Sequence, residues 1–146
     1  MLSCLVGSEM CIRDSRTAEQ IKISVGSAMR TRSKNILVKG RGLVTGIPKT
    51  KDIRTDEIRQ ALKDPVKRIL NVIKDALEET PAELSSDIID RGIVLAGGGS
   101  QLRGLDQVLR EKTNVPVNVA DEPHLAIVKG CGAVIEDLEK YKHVLL

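Results

Sequence analysis

The segment best suited to chemistry is a short apolar run followed by three consecutive glycines. The run at 92–96, Gly-Ile-Val-Leu-Ala, predicts a buried strand of a parallel sheet, and Gly97, Gly98 and Gly99 follow it directly. Ligands of open α/β sheets bind at the carboxyl ends of the strands. Because glycine has no side chain, a flat ring or an anionic group can approach this backbone closely. The next helix, predicted over 102–112, would offer unpaired N–H groups and a positive dipole end.

The glycine triplet alone does not distinguish a ligand site from a plain tight turn. Glycine is the default turn residue, and the segment matches neither G-x-G-x-x-G nor the P-loop pattern. Glu19 and Lys22 form a second candidate pair, three residues apart on a predicted helix. A Glu accepts hydrogen bonds from hydroxyls and a Lys donates them. The same spacing is equally typical of an ordinary pair on a helix surface.

The local patterns place these residues in an α/β chain. Asp64-Pro65 is typical of a new helix start, so the region 55–79 is predicted as two helices, with Thr55 as the first N-cap. The predicted helices are 17–28, 55–63, 65–79, 102–112 and about 123–141, and the predicted strands are 36–38, 43–47, 92–96 and 115–119.

Composition excludes several classes of function. Aromatic residues make up 1% of the 146, which argues against nucleic-acid binding by base stacking. The net charge of +3 comes from interspersed signs, and no apolar run approaches the ~20 residues of a membrane span. The cysteines at 4, 11 and 131 fit no zinc spacing or disulfide framework. We therefore predict no metal ligands and no catalytic residues here, and expect Cys131 to be a buried small hydrophobe.

Three segments, in order along the chain, resemble the MreB family of rod shape-determining bacterial actin homologues. They are Thr17-Ala-Glu-Gln-Ile-Lys-Ile23, the segment 40–50 (Gly-Arg-Gly-Leu-Val-Thr-Gly-Ile-Pro-Lys-Thr) and the segment 90–106 around the glycines. The family belongs to the actin, Hsp70 and sugar-kinase superfamily. The resemblance implies the second half of an actin-like (ribonuclease H-like) ATPase fold. It would comprise a small lobe over about 16–79 and a larger sheet-containing subdomain over about 80–146.

The resemblance also implies roles for individual residues. Gly97, Gly98 and Gly99 would pass along the adenosine and α-phosphate of ATP, and Leu102 would flank the base. Glu19 and Lys22 match the Glu-x-x-Lys of the family's base-and-ribose wall. The chain contains no Asp-x-Gly-Thr phosphate loop, so the ligands of Mg²⁺ would lie in other parts of such a protein. Since phosphoryl transfer depends on groups around the metal and γ-phosphate, we expect this chain alone not to hydrolyse ATP.

For the whole protein, the resemblance implies an ATP-binding filament that maintains rod shape by organising cell-wall synthesis. Subunits would stack head to tail, and such a contact gives a filament when it does not close. Implied partners are a membrane protein of the RodZ type and the cell-wall synthesis machinery, with no nucleic acid. The implied location is the cytoplasmic face of the cell membrane, which the protein would reach only through other parts or partners. Two alternatives stay open: a sugar kinase or Hsp70-type ATPase of the same superfamily, and an interaction module without a nucleotide.

The first fifteen residues do not fit this picture. They show no helical or strand periodicity, have no basic region like that of a signal peptide, and resemble a spurious peptide found at the ends of sequences assembled from short reads. We expect residues 1–15 not to pack on the α/β body, and in particular Leu5, Val6 and Ile12 not to enter its core.

Overall fold

The computed structural model describes residues 10–11, 15–32, 34–42 and 44–144. The strands are β1 Met10–Cys11, β2 Asn35–Gly42, β3 Pro48–Arg54, β4 Ile93–Leu95 and β5 Val117–Val119. The helices are α1 Ser15–Val25, α2 Thr55–Glu79, α3 Ala82–Arg91, α4 Leu105–Thr113, α5 Ala126–Glu136 and α6 Leu138–Tyr141, with 3-10 turns at Gly98–Gln101 and Lys142–Val144.

Strands β2 and β3 form an antiparallel hairpin whose turn lies where the sequence predicted a strand. The predicted strand over 43–47 is wrong, because residues 44–47 reverse the chain and β3 starts at Pro48. The Gly42 amide donates to the Ile47 carbonyl at 3.0 Å, and the Gly46 amide donates to the Gly42 carbonyl at 3.0 Å. Gly46 adopts a φ of 68°, a conformation that glycine reaches without steric cost.

Helix α2 runs without interruption from Thr55 to Glu79, so the prediction of two helices is wrong. Pro65 lies inside it, where proline removes one hydrogen bond and crowds the preceding turn. Ile58, Leu62 and Val66 are buried along one stripe that continues through the proline. Burial on both sides of Pro65 holds the helix together, and this non-local contribution is invisible in the Asp-Pro pair itself.

The start of α2 is stabilised differently from the prediction. Thr55 is the first helical residue and not the N-cap, which is Arg54. The Thr55 hydroxyl donates to the Lys34 carbonyl at 2.9 Å and accepts from the Lys34 amide at 3.0 Å. Glu57 accepts from the Arg54 amide at 3.2 Å, and so satisfies one of the unpaired groups of the helix end.

Two apolar clusters meet along α2. The first joins α1, the β2–β3 hairpin and the start of α2; it comprises Ala18, Ile21, Val25, Val38, Ile53, Ile58 and Leu62. The second joins the middle of α2 to α4 and the β4–β5 pair; it comprises Val66, Leu105, Leu109 and Val117. Leu102 packs against both clusters. Helix α2 therefore contributes to both clusters. Its residues up to Leu62 belong to the first cluster, and Val66 belongs to the second.

The predicted parallel strand before the glycines is confirmed, but it is not buried on both faces. Ile93, Val94 and Leu95 of β4 pair in parallel with Val117, Asn118 and Val119 of β5. Val94 is 65% exposed, whereas Val117 is fully buried against α4. In the described part of the chain α4 covers one face of this pair only.

The sequence prediction also missed helix α3, because the helix has no strong apolar stripe. None of its residues is buried.

Part of the segment expected to stand apart is paired with the sheet. Met10 and Cys11 form β1 and lie opposite Gly42 and Arg41 of β2 in an antiparallel register. This backbone pairing was not predicted. Leu5, Val6 and Ile12, whose burial would contradict the expectation, lie outside the described residues, so that part of it stays a prediction.

Helix α5, like α3, has no buried residue. Its side chains Ile127, Val128 and Ile135 are 66%, 68% and 72% exposed. Cys131 is exposed as well, so the expectation of a buried cysteine is wrong: nothing in the described chain packs on this helix face. No helix within the described ranges combines the length and apolar character needed to cross a membrane.

Candidate functional site

A cavity of ≈ 420 Å³ lies between α1, α2 and the glycine turn. Its volume falls in the range of small-molecule sites, and its walls combine apolar side chains with a few polar groups, as such sites do. The lining residues are Glu19, Lys22, Ile23, Gly26, Leu62, Pro65, Val66, Ile69, Gly98, Gly99, Gln101, Leu102, Arg103 and Leu105. Five of the six predicted site residues are therefore on one cavity, and Gly97 is immediately next to it in sequence.

Helix α1 forms the charged wall. Ala18, Ile21 and Val25 are buried in the core, which turns the opposite face of the helix outwards. On that face Lys22 Nζ lies 3.7 Å from Glu19 Oε1, and their side chains are 40% and 64% exposed. An exposed pair of this kind contributes about 0–1 kcal/mol, so a ligand can take over either partner at small cost.

The glycine turn forms the opposite wall and is fixed from two sides. The Gly97 amide donates to the Pro123 carbonyl at 2.6 Å. The buried Ser100 hydroxyl donates to the Gly97 carbonyl at 2.7 Å. Gln101 Nε2 lies 3.2 Å from His124 Nδ1, which ties the turn to the segment before α5. The Leu102 amide also donates to the Gly99 carbonyl at 3.2 Å, and Gly98 and Gly99 remain exposed.

The three consecutive glycines are not equivalent. Gly97 has a φ of 83°, so its own backbone requires glycine. Gly98 and Gly99 do not have positive φ values. A Cβ atom at either position would meet nothing within 4 Å beyond its chain neighbours, among the residues that the structure describes. Neither backbone conformation nor packing therefore explains why these two positions lack side chains.

Helix α2 supplies a third, apolar wall that sequence reasoning missed. Pro65 and Ile69 line the cavity, and Ile69 remains 44% exposed although it belongs to an apolar helix stripe. Ile23 of α1 lines it too and is 66% exposed. No sequence signal marked this wall, because Asp64-Pro65 predicted a break between two helices at this point.

Helix α4, which follows the glycine turn, begins later than the sequence predicted. The helix starts at Leu105 and not at 102, because Gly98–Gln101 forms a separate 3-10 turn and Gly104 adopts a left-handed conformation. The Leu105 amide already donates to the Leu102 carbonyl at 3.0 Å. Asp106 adds a negative charge in the first turn of α4. Leu105 lines the cavity with its apolar side chain, so α4 borders the cavity at its first residue, although it starts three residues later than predicted.

No metal centre accompanies this cavity. Across residues 10–11, 15–32, 34–42 and 44–144, no group of three or more His, Cys, Asp or Glu side chains could hold a metal ion. The arrangement offers one cation, one carboxylate, open glycine backbone and an apolar slot. These features suit binding of a flat ring with attached hydroxyls.

The family model described as MreB/Mbl protein matches residues 9–143. The chain belongs to the MreB/Mbl family. The match includes both walls of the cavity and the β2–β3 hairpin, and it sets aside the sugar-kinase and Hsp70 alternatives. It also includes Met10 and Cys11, the two residues paired with β2.

Two MreB/Mbl relatives show the extent of the similarity. The chain is 43% identical over 126 residues to the cell shape-determining protein Mbl of Bacillus cereus, covering 86% of this chain and 38% of that protein. It is 41% identical over 126 residues to the cell shape-determining protein MreB of Escherichia coli K12, covering 86% of this chain and 36% of that protein. The chain therefore spans well under half of the length of these MreB/Mbl relatives.

Solved MreB structures show the same fold. MreB5 of Spiroplasma citri bound to ADP superimposes with a TM-score of 0.84 at 28% identity, over 92% of this chain and 41% of that one. The same protein bound to AMPPNP gives a TM-score of 0.84 over 94% of this chain and 41% of that one. The chain thus has the α/β architecture of part of an actin-like MreB protein.

Proposed function

We propose that this region binds the adenosine part of ATP in the cavity between α1, α2 and the glycine turn. One observation carries the proposal: Gly98 and Gly99 lack side chains where neither the backbone nor the packing requires it. A ligand lying against the backbone explains this absence, since a side chain would occupy its space.

The other walls fit an adenosine. The slot formed by Ile23, Pro65 and Ile69 suits the faces of a purine ring, and Leu102 lies beside it. Glu19 can accept from ribose hydroxyls, and Lys22 can donate to a hydroxyl or cover the ring. The Spiroplasma MreB5 structures, which were solved with ADP and AMPPNP, support a nucleotide as the ligand.

This proposal assigns binding and no chemistry to the described residues. The part of the chain that the structure describes offers no metal cluster, so Mg²⁺ and the γ-phosphate would be held by groups elsewhere in the full-length protein. When bound there, Mg²⁺ would neutralise charge on the phosphates. The role of the present residues is to hold the nucleoside and to fix the direction in which its phosphates leave the cavity.

The wider function follows from the family. We propose that the full-length protein forms head-to-tail filaments and maintains rod shape by organising cell-wall synthesis at the cytoplasmic face of the membrane, with a RodZ-type protein as partner. The bare α5 helix supports a role in a larger protein: a Cβ atom added at Gly130 or Gly132 would meet nothing within 4 Å beyond its own helix, among the described residues. As the counterpart of the family's second connecting helix, α5 would pack closely against other parts of the protein.

ATP titration by calorimetry on the full-length protein tests the nucleotide site. We expect Gly98→Asp to weaken ATP binding by more than about a hundredfold, because it places bulk and negative charge in the path of an anionic ligand, a loss of roughly 3 kcal/mol. Asn71→Asp is the matched control, since it adds the same charge on α2 at a position that does not line the cavity. Equal ATP affinity of Gly98→Asp and wild type would exclude the site.

A further inference from the structure

The α1 wall and the glycine wall of the cavity are joined by a direct contact between the chain segments that follow them. Residues 27–29 follow α1, and residues 103–104 follow the glycine turn. We call these two segments together the seam. Ser27 and Arg103 form an isolated parallel bridge, and the Ala28 amide donates to the Arg103 carbonyl at 2.8 Å. Gly26 and Arg103, at the edges of the seam, both line the cavity.

The Ser27 side chain is at the centre of the seam. It is only 2% exposed. Its hydroxyl lies 2.9 Å from the Met29 carbonyl and 3.2 Å from the Arg103 carbonyl, and it accepts from the Met29 amide at 3.2 Å. A hydroxyl has one proton to donate, so the two carbonyls share it. No other buried side chain hydrogen-bonds to both of these chain segments among the described residues.

Gly104 closes the seam from the other side. Its φ is 72°, and a Cβ atom there would approach Met29 Cγ to 2.9 Å. Gly26 is equally confined, because a Cβ would come within 2.2 Å of the Lys22 carbonyl oxygen. The backbone therefore passes from each wall into the seam with no room for a side chain.

We propose that Ser27, together with Gly104, is a positioning pair that sets the distance between the α1 wall and the glycine wall. Neither residue lines the cavity. The inference rests on the proposed function, since it concerns the affinity of the same site. Ser27 and Gly104 would thus control nucleoside binding without contacting the nucleoside.

Nucleotide titrations on the full-length protein test the proposal. We expect Ser27→Ala to raise the Kd roughly three- to tenfold, as the loss of one hydrogen bond would. Because the seam positions walls that hold the nucleoside, the factor should be the same for adenosine, ADP and ATP. Ser24→Ala is the matched control, since its hydroxyl donates only to the Ile21 carbonyl of its own helix, at 3.1 Å.

A second pair of variants separates positioning from general loss of stability. Gly104→Ala should weaken nucleotide binding from the other side of the seam, and adding Met29→Ala should restore part of the affinity by removing the contacted Cγ. Val38→Ala creates a cavity in the core at the hairpin, so it should lower the melting temperature without changing the Kd.

The outcomes distinguish the two proposals. If the wild-type protein binds ATP and neither Ser27→Ala nor Gly104→Ala changes the Kd, the seam proposal is overturned and the nucleotide site stands. If Val38→Ala raises the Kd as much as Ser27→Ala at the same loss of melting temperature, positioning is likewise overturned. If the wild-type protein binds no adenine nucleotide, both proposals fail.

Discussion

The glycines between residues 92 and 104 fall into two groups that differ in what surrounds them. At Gly92 a Cβ atom would lie 2.5 Å from the Pro116 carbonyl oxygen, and at Gly104 it would lie 2.9 Å from Met29 Cγ. Both positions have positive φ. At Gly98 and Gly99 a side chain would meet open space in the described structure. The first group is required by the fold, whereas neither φ nor packing in the described structure requires the second, for which we propose a bound ligand.

A glycine motif in a sequence does not reveal which of its glycines the backbone requires and which leave open space. Gly97 belongs to the first group by its φ of 83°, although it is adjacent to Gly98. The triplet thus combines one glycine that forms the turn with two that leave its edge bare. Substitutions that affect folding and binding in opposite ways can separate these roles.

The largest effect on stability is expected at Gly92. Gly92→Ala forces a Cβ against the Pro116 backbone at positive φ, and β4 begins at the next residue. We expect the free energy of unfolding to fall by about 2–4 kcal/mol. Urea denaturation of the variant and the wild type measures it. Unchanged stability would show that the strand start can move, and would remove the contrast between the two groups.

A smaller effect, on ATP affinity, is expected at the α1 wall of the cavity. Lys22→Ala should weaken ATP binding by about 1–3 kcal/mol, because it removes a charge-assisted contact with the ligand. The loss of its exposed pair with Glu19 should itself change stability little. Lys74→Ala, on the exposed surface of α2, is the control. If calorimetry gives the same ATP affinity for both variants, α1 is not a wall of the site.

The smallest effect, and the most discriminating, is expected for alanine at the open glycines. Gly98→Ala should leave the free energy of unfolding unchanged or raise it by about 0.4–1 kcal/mol, because alanine restricts the unfolded chain. The same variant should bind ATP more weakly. Denaturation and calorimetry on one preparation measure both quantities. A variant that loses stability and keeps its affinity would assign Gly98 to the structural group.

The chain sequence predicted the elements whose signals are local. The helical spacing of Ala18, Ile21 and Val25 gave α1, and the apolar run before the glycines gave β4 and its parallel pairing. The sequence also supplied the residues of both cavity walls, through their resemblance to the MreB family, and the family match agrees with that resemblance. Such patterns are determined by short stretches of chain, in which periodicity reports directly on burial.

Only the tertiary structure decided how these pieces meet. Glu19 and Lys22 share a cavity with Gly98 and Gly99 because α1 and the turn both pack beside α2. Pro65 remains within one helix because burial on either side outweighs its local cost. Ser27 gave no sequence signal, since a serine is usually exposed and its burial depends on Arg103, 76 residues away. Contacts of that range are set by packing, which local propensity does not encode.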